Sequence, residues 1–177
     1  YNKETGELKA ELAKDSEAIA FQNSYDTETS IGLEGTKSLS GRTLKDGEFT
    51  FEVKDKAGKV VATGSNKSDG SISFNNKLNY KLSDLEKADG SYESEKTYEY
   101  TVNEVIPEGA TAENNYTVNG VTYDSKTVNV KVTVTYNKET GELKAELAKD
   151  SEAIAFQNSY DTETSIGLEG TKSLSGR

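Results

Sequence analysis

The chain has 177 residues, 31 of them acidic and 21 basic, for a net charge of −10, and it contains no cysteine, histidine, methionine or tryptophan. That alphabet excludes thiol nucleophiles, disulfides, Ser-His-Asp triads and Cys/His zinc sites, and no cofactor or metal centre is expected. The acidic balance argues against a nucleic-acid partner and an anionic membrane surface, and no apolar run approaches the ~20 residues of a membrane span.

From its first residue the chain is repetitive: Tyr1 to Arg42 recurs, residue for residue, as Tyr136 to Arg177, an offset of 135 residues. A period of that length exceeds a solenoid or propeller repeat and matches one independent domain, so the sequence reads as beads in tandem. The period by itself leaves the boundary of the bead open. Neighbouring identical repeats are the expected partners within the chain.

Only 32% of the residues are hydrophobic, but they fall with a period of two, the mark of half-buried strands. Leu33, Gly35, Lys37 and Leu39 share the face of a first strand, and Phe49, Phe51 and Val53 the face of the next. Gly-containing turns at Lys56-Ala57-Gly58-Lys59, Ser68-Asp69-Gly70-Ser71 and Ala88-Asp89-Gly90-Ser91 separate the segments that follow. Tyr100, Val102, Glu104 and Ile106 define a middle strand. Asn119-Gly120, between Tyr116-Thr117-Val118 and Val121-Thr122-Tyr123, predicts a two-residue hairpin. Val128, Val130, Val132, Val134 and Tyr136 alternate with polar residues. A strand over Glu142–Ala148, a turn at Lys149-Asp150-Ser151 and a last strand over Ala153–Ser159 complete the period. Nine or ten short strands at this spacing predict an all-β chain folded as a β-sandwich.

Three polar residues fall on apolar faces: Lys37 in the first strand, Glu104 in the middle strand, and Asn158 in the last, with Ile154 and Phe156. Taken singly, each lies near a strand end, where a long side chain can reach water. Taken together, an amine, a carboxylic acid and a carboxamide enter one core. Desolvation favours a neutral amine and a protonated acid. A neutral amine can attack the carboxamide while the acid relays protons and ammonia leaves, giving an amide between Lys37 and Asn158.

The segments GLEGTKSLSG, GEFTFEV, YEYTVNEV, KTVNVKVTVTYN and AIAFQNSY resemble the streptococcal pilin isopeptide-linkage domain of Gram-positive pilins and cell-wall adhesins, over Leu33 to Tyr160. The resemblance implies an immunoglobulin-like (CnaB/pilin-type) β-sandwich. It implies a crosslink between Lys37, in its T-K context, and Asn158, in the terminal F-x-N segment, with Glu104 of the Y-x-V-x-E segment as the assisting acid. It further implies an extracellular, cell-wall-anchored stalk or spacer repeat that resists force and proteolysis, and that catalyses only a single reaction upon itself. A related family joins threonine to glutamine through an ester; Gln157 is that alternative, but it faces away from Phe156 and Asn158, and Gln22 is its repeat copy.

With Lys37 and Asn158 as the bonded pair, the resemblance also implies the bounds of the bead: residues 26–160 are one complete domain, entered through the polar connector Asp26-Thr27-Glu28-Thr29, residues 1–25 are the C-terminal strands of a preceding repeat, and residues 161–177 are the linker and first strand of the next repeat. The duplication leaves Asn23 and Lys172 as orphan partners. It also leaves an alternative arrangement open, in which residues 1–25 fill the place of residues 136–160 and Lys37 meets Asn23. Strand exchange between chains is a further variant, because loose strands carrying Ile19 and Phe21 offer pairing edges. A different reading of the chain is a ligand-binding adhesin module, with Tyr80, Tyr92, Tyr98, Tyr116 and Tyr123 as a platform for a host glycan or matrix protein. Asp69, Asp84 and Asp89 fit turns better than a calcium loop.

Overall fold

The structure is a computed structural model that describes residues 1–23, 25–163, 166–168 and 170. Twelve strands are present among them: Glu28–Ile31 (β1), Gly35–Ser40 (β2), Thr50–Asp55 (β3), Val60–Asn66 (β4), Ser71–Phe74 (β5), Leu78–Lys81 (β6), Glu95–Glu104 (β7), Thr117–Val118 (β8), Val121–Thr122 (β9), Val128–Asn137 (β10), Glu142–Leu147 (β11) and Ile154–Tyr160 (β12). The remaining regular elements are two short 3-10 turns, Leu82–Leu85 and Ala112–Asn114. No helix among the described residues is long and apolar enough to cross a membrane.

Ten strands form one curled ladder in the order β11-β10-β7-β3-β4-β5-β2-β12-β9-β8, and β1 pairs with β6 in a second, two-stranded sheet. Every pairing is antiparallel except that of β2 with β12, which is parallel. The ladder curls so that its two halves bring their apolar faces together as an immunoglobulin-like β-sandwich. Phe51 on β3 and Phe156 on β12 meet with ring centroids 5.1 Å apart, and both are buried. Removing a side chain of this size from water stabilises a fold by about 1.5–3 kcal/mol. The alternation in β10 does what its period requires: Val128, Val130, Val132 and Val134 are all buried, while Asn129 is exposed.

The Asn119-Gly120 hairpin forms between β8 and β9, with φ of 51° and 83° at the two turn residues, the left-handed pair that a type I′ turn needs. The last two strands lie within one residue of the segments read from the sequence. The strand number exceeds the sequence-based count because β5 and β6, four residues each, are too short for alternation to reveal. One further difference concerns the connector, since Glu28 and Thr29 belong to β1. Its ladder with β6 supplies partners for backbone groups that the β6 edge would otherwise leave unpaired.

The duplicated segments have unlike fates. In the second copy Ile154 and Phe156 are 6% and 1% exposed; their counterparts Ile19 and Phe21, among described residues 1–23 that form no strand, are 86% and 89% exposed. The second copy is therefore the one lying against β2, and the arrangement with Asn23 beside Lys37 is not adopted. One strand position exists there, and a chain of residues already paired through β10 and β11 leads into it.

Candidate functional site

Three strands carry the polar residues inward. Lys37 lies in the middle of β2, Glu104 ends β7, and Asn158 lies in β12, each at a position whose parity points to the core. They are 2%, 5% and 4% exposed. Close approach of β2 to β12 depends on Gly35, where an added Cβ would stand 2.7 Å from Ile154 Cγ2. Parallel pairing sets Phe156 in register with Lys37. Phe49 and Phe51 wall the site, with Lys37 Nζ 4.7 Å and 5.8 Å from their ring centroids.

One carboxylate oxygen serves both neighbours. Glu104 Oε1 lies 2.9 Å from Lys37 Nζ and accepts a 2.8 Å hydrogen bond from Asn158 Nδ2. The side chains of Lys37 and Glu104 have no solvent exposure at all. The amine contact is close but poorly aligned for a hydrogen bond, and Glu104 Oε2 has no partner among the described residues. On the other side of the carboxamide, Asn158 Oδ1 accepts a 2.8 Å hydrogen bond from the Asp124 N–H.

Burial governs the protonation of this group. Loss of water pushes the Lys37 amine below its ordinary value, and the attraction of Glu104 only partly opposes that. Loss of water likewise pushes the Glu104 carboxyl up, against the pull of Lys37 and the hydrogen bond from Asn158. Both shifts favour a neutral amine beside a protonated acid, because a buried ion pair loses more hydration than its attraction returns unless its hydrogen bonding is complete. Here it is incomplete.

The remaining sequence candidates fall elsewhere. Gln157, Gln22 and Asn23 are exposed, and Lys172 lies outside the described residues. The tyrosines do not form an exposed platform. Tyr80 is buried and shares a 2.7 Å hydroxyl contact with Tyr100; Tyr92 packs edge-on against Tyr136, and Tyr123 against Phe49. Asp69 and Asp89 each accept from the backbone and hydroxyl of the serine two residues on, and Asp84 accepts from the Lys81 N–H, as turn residues do. Two contributors escaped sequence reasoning. Asp124 touches the carboxamide, and the buried Asn66 accepts from the N–H of Phe49, whose ring walls the site, and donates to the Lys45 and Lys67 carbonyls. Asp124 lies in a loop, where strand parity carries no signal; Asn66 shares the inward face of β4 with Ala62 and Gly64, and alternation there was the signal that could have found it.

Among solved structures, the major pilin from Streptococcus pyogenes matches at 20% identity and a TM-score of 0.40, over 73% of this chain and 50% of the pilin. The major pilin protein (T-13) from Streptococcus pyogenes matches at 19% identity and a TM-score of 0.35, over 76% of this chain and 54% of that one. This chain thus spans about half the length of the pilins it matches. No curated protein sequence matches it. The model of the FctA family, the Spy0128-like isopeptide containing domain, matches residues 33–161, the stretch that holds Lys37, Glu104, Asp124 and Asn158, and the chain belongs to that family.

Proposed function

We propose that residues 26–160 form one self-sealing bead of a tandem array, a structural stalk or pilus-like fibre on the surface of a Gram-positive cell, and that Lys37 and Asn158 become joined by an isopeptide bond. Residues 1–25 and 161–177 then belong to the neighbouring beads. The observation that carries the proposal is the shared Glu104 Oε1, in contact with both the amine and the carboxamide nitrogen inside a site that excludes water. Family membership supports it.

The reaction balances without a cofactor. Lys37 Nζ, as the neutral amine, attacks Asn158 Cγ. Glu104, as the acid, gives its proton to Nδ2 and takes one from Nζ. The Cγ–Nδ2 bond breaks, ammonia leaves, and a Cγ–Nζ amide remains. Glu104 ends as it began. The chain reacts once, upon itself, and turns over no substrate.

The purpose of such a bond is mechanical. It ties β2, near the entry of the bead, to β12 at its exit, so a pull on the array passes through the bond and bypasses the strands between. Intact mass and peptide mapping test the proposal. The folded chain is expected to lack one ammonia and to yield a branched peptide joining Lys37 to Asn158. A mass equal to that of the unmodified sequence overturns it.

A further inference from the structure

The loop from Tyr123 to Thr127, between β9 and β10, closes over the buried pair and is held from two sides. Asp124 Oδ2 accepts a 3.0 Å hydrogen bond from the Gln157 N–H of β12, and Oδ1 accepts one of 3.1 Å from the Lys126 N–H. From β7, Asn103 Nδ2 donates to Thr127 Oγ1 at 2.8 Å and to the Lys126 carbonyl at 3.3 Å. These bonds fix the Asp124 N–H where it meets Asn158 Oδ1, the residue immediately after the one its own carboxylate grips.

We propose that the Asp124 N–H is the oxyanion donor of the crosslinking reaction, and that the Asp124 carboxylate is the positioning group that aims it. The inference rests on the Lys37–Asn158 reading above. Attack of Nζ on Cγ moves an electron pair onto Oδ1, the atom this N–H already touches, so the developing charge is met without reorganisation. The same contact sets which end of the carboxamide leaves. A backbone N–H only donates, so it selects the oxygen and turns Nδ2 toward Glu104 Oε1; the flipped amide would set donor against donor. Asn158 is thereby divided between two groups. The oxygen belongs to Asp124, and the departing nitrogen to Glu104.

The experiment uses the full chain assembled unbonded under denaturant by ligation of two segments, then refolded while intact mass follows the loss of ammonia. In one version the amide before Asp124 is replaced by an ester, which deletes only that N–H. The ester chain is expected to fold, judged by its β-sheet circular dichroism, and to lose ammonia more slowly by on the order of 10²–10³-fold, as for deletion of one oxyanion donor. An unchanged rate overturns the inference while leaving the crosslink intact. If the unaltered chain never loses ammonia, the crosslink reading falls and this inference falls with it. Should the ester chain fail to fold, Asp124→Ala and Asp124→Asn decide. Slow loss in Asp124→Ala with partial recovery in Asp124→Asn, which keeps an acceptor for the loop, supports the role; the unaltered rate in Asp124→Ala overturns it.

Discussion

Lys37 and Asn158 are not register partners: Lys37 stands opposite Phe156, and Asn158 opposite Leu39, two residues further along the parallel ladder. A stagger of two keeps both side chains on one face, and at a rise of about 3.3 Å per residue it separates them by roughly 6–7 Å along the strands. A long amine and a short carboxamide suit that offset, since the lysine stem can lean along the sheet. Glu104, arriving from the opposite half of the sandwich, then bridges the two ends.

Because the two copies of the duplicated segment differ only in where they pack, removing either asparagine separates their roles. Asn158→Ala is expected to retain the full sequence mass, whereas Asn23→Ala is expected to lose one ammonia as the unaltered chain does. The opposite pattern, read by intact mass, would assign the crosslink to the first copy.

Glu104→Ala removes the group that touches both reactants. Proton relay by a positioned acid contributes about 10²–10⁴-fold, and ammonia loss followed by mass during refolding is expected to slow by at least the lower figure. The variant should also be less stable, by about 1–3 kcal/mol, because the buried Lys37 amine and Asn158 Nδ2 lose the oxygen they share. Crosslinking at the unaltered rate would remove Glu104 from the mechanism.

A pH dependence follows from the raised Glu104 carboxyl. Lys37→Met removes the amine of the proposed crosslink, and the acid is expected to stay buried. An unfolded glutamate ionises near about pH 4.3, so the favourable difference is fully present below that pH and is lost as pH rises through the higher folded value. Relative to the double variant Lys37→Met/Glu104→Gln, the denaturant midpoint of Lys37→Met should therefore fall as pH rises above about 4. A relative midpoint that rises with pH would contradict the burial argument.

The proposed Lys37–Asn158 bond should appear as stability of the whole fold. Closing a loop of about 100 residues restricts the unfolded chain by about 4.7 kcal/mol in the disulfide model. The crosslinked chain should thus unfold at a higher guanidinium concentration than Asn158→Ala, with a smaller surface exposed on unfolding. Coincident transitions would show that the bond contributes nothing.

Gly41 follows β2, has φ of +93°, and approaches Tyr160 so closely that an added Cβ would sit 1.9 Å from its carbonyl oxygen. Gly41→Ala combines a disfavoured backbone region with that collision, and a loss of at least about 1–3 kcal/mol is expected in chemical denaturation. A neutral substitution would mean that the ends of β2 and β12 separate freely.

Side-chain alternation in the sequence determined which face of each long strand is buried, because successive side chains must point to opposite sides. Lys37, Glu104 and Asn158 were therefore legible as core residues before any pairing was known, and Asn119-Gly120 as a hairpin from its need for left-handed backbone. Parity has no term for a loop, so Asp124 was invisible until the fold carried Tyr123 to Thr127 across β12. Nor could residue order choose between two identical segments. Ile19 and Ile154 have the same neighbours in sequence, and only the tertiary structure, which offers one place beside β2 to the copy already paired through β10 and β11, decided that one is buried and the other lies in water.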